Sequence, residues 1–106
     1  MERFELTRAS DPAIDPGSVV AVATTPTVVL DADDADTAVK FILQNNSDTA
    51  ITLSLDGTFN VGEGIVLLPG PSGVGGGVWE EDRWAGVVYA RHHGGSGTKS
   101  LTRIIF

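Results

Sequence analysis

The chain of 106 residues contains no cysteine, which excludes a disulfide framework, a thiol nucleophile and any Cys-based zinc site. Positive charge is scarce: seven Lys and Arg stand against fourteen Asp and Glu, a formal net charge of −7. The imbalance is local, since residues 1–56 hold ten acids and three bases, whereas residues 57–106 hold four of each. Such a chain lacks the basic footprint that a nucleic-acid backbone demands, so no nucleic-acid partner is expected. Long apolar runs are also missing. The longest, "VVAVA", is about five residues against the roughly 20 of a membrane-spanning helix. The opening "MERFELTRASD" mixes acids and bases and has no apolar stretch, so the reading expects no secretion signal and no membrane association. Asn45-Asn46-Ser47 matches a glycosylation sequon and reads instead as a turn.

What is present is β-structure. A hydrophobic fraction of 42% argues against disorder, and the length fits one domain. Apolar, β-branched runs recur between Gly, Pro, Asn and Asp. They are "SVVAVAT" (18–24), "TVVL" (27–30), "AVKFILQ" (38–44), "AITLSL" (50–55), "FNVG", "GIVLLPG", the stretch 84–91 and the stretch 98–106. Val39, Phe41 and Leu43 fall on one face, as do Ile51, Leu53 and Leu55. One weak helical signal appears in "DADDADTAVKF", whose Asp-rich start could cap a single turn. The expected fold is all-β, an antiparallel β-sandwich, jelly roll or small barrel of seven or eight short strands. Residues 1–16, with Pro12 and Pro16, read as an N-terminal arm to a domain spanning residues 17–106.

The stretch "LLPGPSGVGGGVWEEDRWAGVVYA" (67–90) poses the main chemical question, because a glycine-rich loop can cradle a phosphate. A dinucleotide fingerprint needs G-x-G-x-x-G between a strand and a helix. Gly73 and Gly75 fit, but Val78 occupies the third position and no helix signal follows. "GGSGTKS" (94–100) imitates a P-loop, yet Thr98 precedes Lys99 where glycine is required. Both stretches read as turns, and the loop from Gly70 to Gly77 is expected to be exposed and tolerant of shortening. "DADDAD", from Asp31 to Asp36, resembles the start of a calcium loop. Counting from Asp31, however, Ala35, Asp36 and Ile42 stand where a third acid, a glycine and a bidentate Glu are needed. A solvated turn is the default there, with a loose calcium site as the alternative. His92 and His93 are adjacent, so on a strand they point to opposite faces and cannot chelate one ion. No serine is singled out to pair with either, and "EEDR" (80–83) is one charged turn rather than two facing carboxylates. The reading therefore expects no enzyme, no cofactor and no metal. Trp79, Trp84 and Tyr89 are expected to close one end of the sandwich, with sugar stacking as a rival role.

One composite pattern goes further. "LQNNSDTAITLSLDGTFNVGEGIVLLPG", a Gly-rich gap and "WAGVVYAR" resemble a recurrent type of small bacteriophage virion protein. In such chains an "NNS" turn precedes a strand, a G-T-x-x-V-G-x-G-I-x-L-x-P-G segment follows, and an aromatic-x-G-x-V-Y-A strand comes near the end. The matching positions are Asn45 to Ser47, Gly57, Thr58, Val61, Gly62, Gly64, Ile65, Leu67, Pro69, Gly70, Trp84, Gly86, Val88, Tyr89 and Ala90. They lie within residues 43–91, about half the chain. The resemblance implies a sandwich or jelly-roll protein of the phage head, either a decoration (cement) protein or the base of a head fibre. Its expected partner is the major capsid protein, and its place is the outer capsid surface of the virion after assembly in the host cytoplasm. The family offers no catalytic residues. The alternative is a carbohydrate-binding or host-attachment module of the virion. Trp79, Trp84, Tyr89 and Phe106 form the candidate interaction surface. Uncharged strands such as "TVVL" and the apolar ending "RIIF" leave edges to cover, so a homo-oligomer, a trimer by preference, is expected.

Overall fold

The computed structural model describes residues 15–60, 62–70, 75–84 and 86–106, which form eight strands and one short helix. The strands are β1 (Asp15–Val22), β2 (Thr27–Leu30), β3 (Phe41–Asn45), β4 (Ile51–Ser54), β5 (Ile65–Leu67), β6 (Val78–Glu81), β7 (Val88–His92) and β8 (Lys99–Ile105). They build two four-stranded antiparallel sheets, ordered β1-β8-β3-β6 and β2-β7-β4-β5. The order has a simple logic. First pairs with last, second with seventh, third with sixth and fourth with fifth, as in one long hairpin wound upon itself. Every connection except β4–β5 crosses from one sheet to the other.

Period-2 alternation decides which side chains meet between the sheets. In β3, Phe41, Leu43 and Asn45 are buried; in β7, Val88, Ala90 and His92 are. Phe41, Leu43, Val88 and Ala90, with Val22, Leu101 and Ile105 from the first sheet and Leu30, Ile51, Leu53 and Leu67 from the second, form one core. Each fully buried aliphatic side chain contributes about 1.5–3 kcal/mol relative to exposure.

Several local expectations change in three dimensions. Val39 and Leu55 lie outside strands and are exposed. "FNVG" forms no strand among its described residues, whereas "VWEE", read as part of a loop and a charged turn, is β6, paired with β3 from Gln44↔Val78 to Phe41↔Glu81. Trp84 precedes its strand, which begins only at Val88. β1 starts at Asp15, inside the segment read as an arm; residues 1–14 lie outside the described residues. "DADDAD" opens the helix α1 (Ala32–Thr37), and the Asp31 carboxylate caps it by accepting from the Asp34 N–H at 2.8 Å.

The edge of the sandwich-like body where β1 and β2 lie is tied by an inward charge. Arg103 of β8 donates from Nη1 to the Val29 carbonyl at 2.9 Å, reaching the other sheet, and from Nε to Asp15 Oδ2 at 3.2 Å. The Asp15 carboxyl is held below its ordinary range chiefly by the Ser18 hydroxyl; burial opposes this, and the Gly17 N–H and Arg103 add further lowering. Asp48 is lowered chiefly by Lys99, and Asp56 by the Thr58 N–H and hydroxyl. A carboxylate with a depressed folded-state pKa stabilises above its unfolded pKa of about 3.9 and loses that contribution as pH falls through the folded value. Urea unfolding should therefore show stability falling from about pH 5 to about pH 2, and Asp15→Asn should flatten that profile. Identical profiles for the two proteins would show that Asp15 contributes nothing to acid sensitivity.

Candidate functional site

The four residues expected to share an interaction surface are divided among three places. Trp79 faces inward from β6 and meets Phe41 edge-on, with centroids 5.3 Å apart and planes at 70°. Trp84 sits at the same end, packed on the core, its indole N–H donating to the Val87 carbonyl at 3.3 Å. Gly86 passes beneath it so closely that a Cβ there would lie 2.6 Å from the indole ring. Both rings are partly buried against the core. Tyr89 lies elsewhere, on the outer face of the second sheet, against Gly57, whose positive φ of 84° forms the turn below it. Phe106 follows β8 and is held by its backbone: its N–H donates to the Lys40 carbonyl and its carbonyl accepts from the Val39 N–H, both at 2.8 Å. Ile105 is buried within the chain's own core, so only Phe106 of the apolar ending stays exposed, with the Lys40 ammonium 5.6 Å from its ring centroid.

His92 and His93 do point to opposite faces. His92 is fully buried: Nδ1 accepts the Gly94 N–H at 3.0 Å, which leaves Nε2 to donate to the Gly97 carbonyl at 2.8 Å. That pair of bonds shapes the turn between β7 and β8. His93 is exposed, with Nε2 2.5 Å from the Thr52 hydroxyl. This is a hydroxyl–imidazole contact, but no carboxylate orients the ring among the described residues, so the arrangement a hydrolytic triad requires is incomplete there. Among the described residues no three His, Asp or Glu converge on a point where a metal could sit.

The arrangement that sequence reasoning missed lies on the outer face of the second sheet. Thr52 and Ser54 project outward from β4 yet are buried, because the chain after β4 folds back over them. Ser54, Asp56 and Thr58 lock that return. Asp56 Oδ1 accepts from the Ser54 hydroxyl at 2.8 Å and from the Thr58 N–H and hydroxyl at 3.0 and 2.8 Å. Gly64 then runs directly over β4 at φ +91°, where a Cβ would lie 2.6 Å from the Leu53 carbonyl oxygen. Between this flap and β7 is an open groove of about 540 Å³, lined by Thr52, Phe59, Asn60, Glu63, Val66, Arg91 and His93 among others. Period 2 along β7 does place Tyr89, Arg91 and His93 on one face. The flap that makes that face concave has no periodic signal.

Comparison of the chain with protein-family models, with curated proteins and with solved structures gives no match.

Proposed function

We propose that the eight strands form a jelly roll and that the protein is a bacteriophage capsid decoration protein, a non-enzymatic module that binds the major capsid protein on the outside of the head and stabilises the shell. The observation that carries this reading is the nested pairing of first with last through fourth with fifth strands, the order in which a jelly roll winds. Virus shells use that architecture repeatedly, although fold alone never fixes function. The residues of the phage-protein resemblance support it in a second way, because they act as architecture. Gly57 floors Tyr89, Gly64 crosses β4, Gly86 underlies Trp84, and Asn45 joins the two sheets through its side chain.

Assembly follows from the edges. Each of the four edge strands carries an exposed valine: Val19 on β1, Val28 on β2, Val66 on β5 and Val78 on β6. Apart from Asp15 at its start, β1 has no charged side chain to discourage pairing. We infer a homo-oligomer, with a trimer preferred because icosahedral shells present threefold points. Sugar stacking on the expected aromatic surface has less support, since Trp79 and Trp84 face the core and Tyr89 lies on another face.

Light scattering should return about three times the 11.1 kDa chain mass. Sedimentation with expanded heads lacking the protein should show saturable binding and a raised melting temperature of the shell. A monomer that neither binds such heads nor stabilises them would refute both the oligomer and the decoration role.

A further inference from the structure

Lys40, Arg83, Lys99 and Arg103 all pair with a carboxylate: Glu80, Asp82, Asp48 and Asp15 respectively. Among the described residues Arg91 is the cation that pairs with none, in a chain carrying twice as many acids as bases. Its guanidinium lies 6.0 Å from the centroid of the Phe59 ring, and its Nε is shut off from solvent with no hydrogen-bond acceptor. Burying a cationic donor without an acceptor costs stability unless another interaction offsets it. Arg91 faces the groove, where Glu63 is the one acid among the lining residues. Glu63 forms no ion pair with Arg91; its Oε1 accepts from Asn60 Nδ2 at 3.2 Å.

We propose that this groove is a binding site for a hydroxylated monocarboxylate of the sugar-acid class, free or as the uronate unit of a glycan. Arg91 would take the carboxylate, since a guanidinium is the side chain best matched to that planar anion. Asn60, Glu63 and His93 supply donors and acceptors for hydroxyl groups, and Val66 and the half-buried Phe59 ring supply apolar contact. The acid in the lining, Glu63, disfavours a second negative charge. A phosphate dianion or polyphosphate would meet Glu63 and the net charge of −7, whereas a monoanion with neutral hydroxyls toward Glu63 avoids both. The groove volume of about 540 Å³ falls within the roughly 300–1,000 Å³ of small-molecule sites. This inference is independent of the decoration role, because it uses a face that neither the fold order nor the strand edges define.

The test is a two-dimensional amide NMR titration of the full chain with sodium glucuronate, alongside glucose, sodium phosphate and a short Glu-containing peptide. Saturable shifts should appear at the backbone amides of Asn60, Glu63, Arg91 and His93 with glucuronate. Glucose should bind at least about tenfold more weakly, as expected for loss of one charge-assisted bidentate contact. Arg91→Gln should abolish saturation, while Asn60→Ala, on the exposed flap, should weaken it without altering the amide spectrum elsewhere. A trisaccharide of uronate units binding more tightly than the monomer would identify the glycan as the source; equal binding would identify the free acid. Equal shifts with glucose, unchanged binding in Arg91→Gln or Asn60→Ala, or preference for phosphate or the peptide would overturn the proposal.

Discussion

Asn45→Ala should lower stability by about 2–4 kcal/mol, a fall in melting temperature of roughly 10–20 °C for a domain of this size. Asn45 has no solvent exposure, and its side-chain amide uses its full bonding capacity. Nδ2 donates to the carbonyls of Thr49 at 2.8 Å and Leu67 at 2.9 Å. Oδ1 accepts from the Ser47 N–H at 2.8 Å and the Ser47 hydroxyl at 2.7 Å. Truncation would strand the buried Leu67 carbonyl, unhinge the turn after β3 and leave a cavity, each a recognised source of large losses. Asn45→Asp sharpens the test, because it conserves volume but sets a carboxylate against two carbonyl oxygens. Its destabilisation should grow as pH rises above about 4, where the unfolded carboxyl ionises and the folded one resists. Asn46→Ala is the control: that side chain is exposed and donates only to the Thr102 hydroxyl, so a change within about 0.5 kcal/mol is expected. Equal denaturation midpoints for the Asn45 and Asn46 variants would show that the clasp contributes nothing.

The second large effect concerns the glycines at 75–77, which sequence reasoning treats as an expendable tip. Gly76 and Gly77 instead thread between the sheets. The Gly76 N–H donates to the Asn45 carbonyl at 2.8 Å, the Gly77 N–H to the Leu68 carbonyl at 2.9 Å, and the Asn45 N–H to the Gly77 carbonyl at 2.9 Å. A Cβ on Gly76 would lie 2.3 Å from the Leu68 oxygen, 2.7 Å from the Gly70 nitrogen and 2.8 Å from the Asn45 oxygen. All three are backbone atoms, so relief requires separating β3 from the end of β5. Gly76→Ala should cost at least about 3 kcal/mol, at the upper end of single-residue effects. Deleting two of the three glycines should prevent folding or lower the melting temperature by more than about 15 °C. The three atoms nearest a Cβ on Gly75 all belong to the Gln44 side chain, which can rotate away, and a Cβ on Gly95 meets nothing within 4 Å. Both alanine substitutions should stay within about 1 kcal/mol. Similar melting temperatures for Gly75→Ala and Gly76→Ala would remove the packing argument.

By itself the sequence determined the fold class, most of the strands and the turns that bound them. Alternation in "FILQN" and "VYARH" states which side chains face a core, and "NNSD" and "DGT" state where the chain reverses, because those signals are local and stereochemical. It also placed His92 and His93 on opposite faces. It did not reveal β6, because "VWEE" follows a glycine run and carries two acids; its strand conformation comes from pairing with β3. The separate roles of Asn45 and Asn46, the tight passage of Gly76 and Gly77, and the dispersal of Trp79, Trp84, Tyr89 and Phe106 were decided only in three dimensions. So was the groove around Arg91. Each depends on which segments distant in sequence are brought into register, and that register is set by the winding of the two sheets rather than by any local preference.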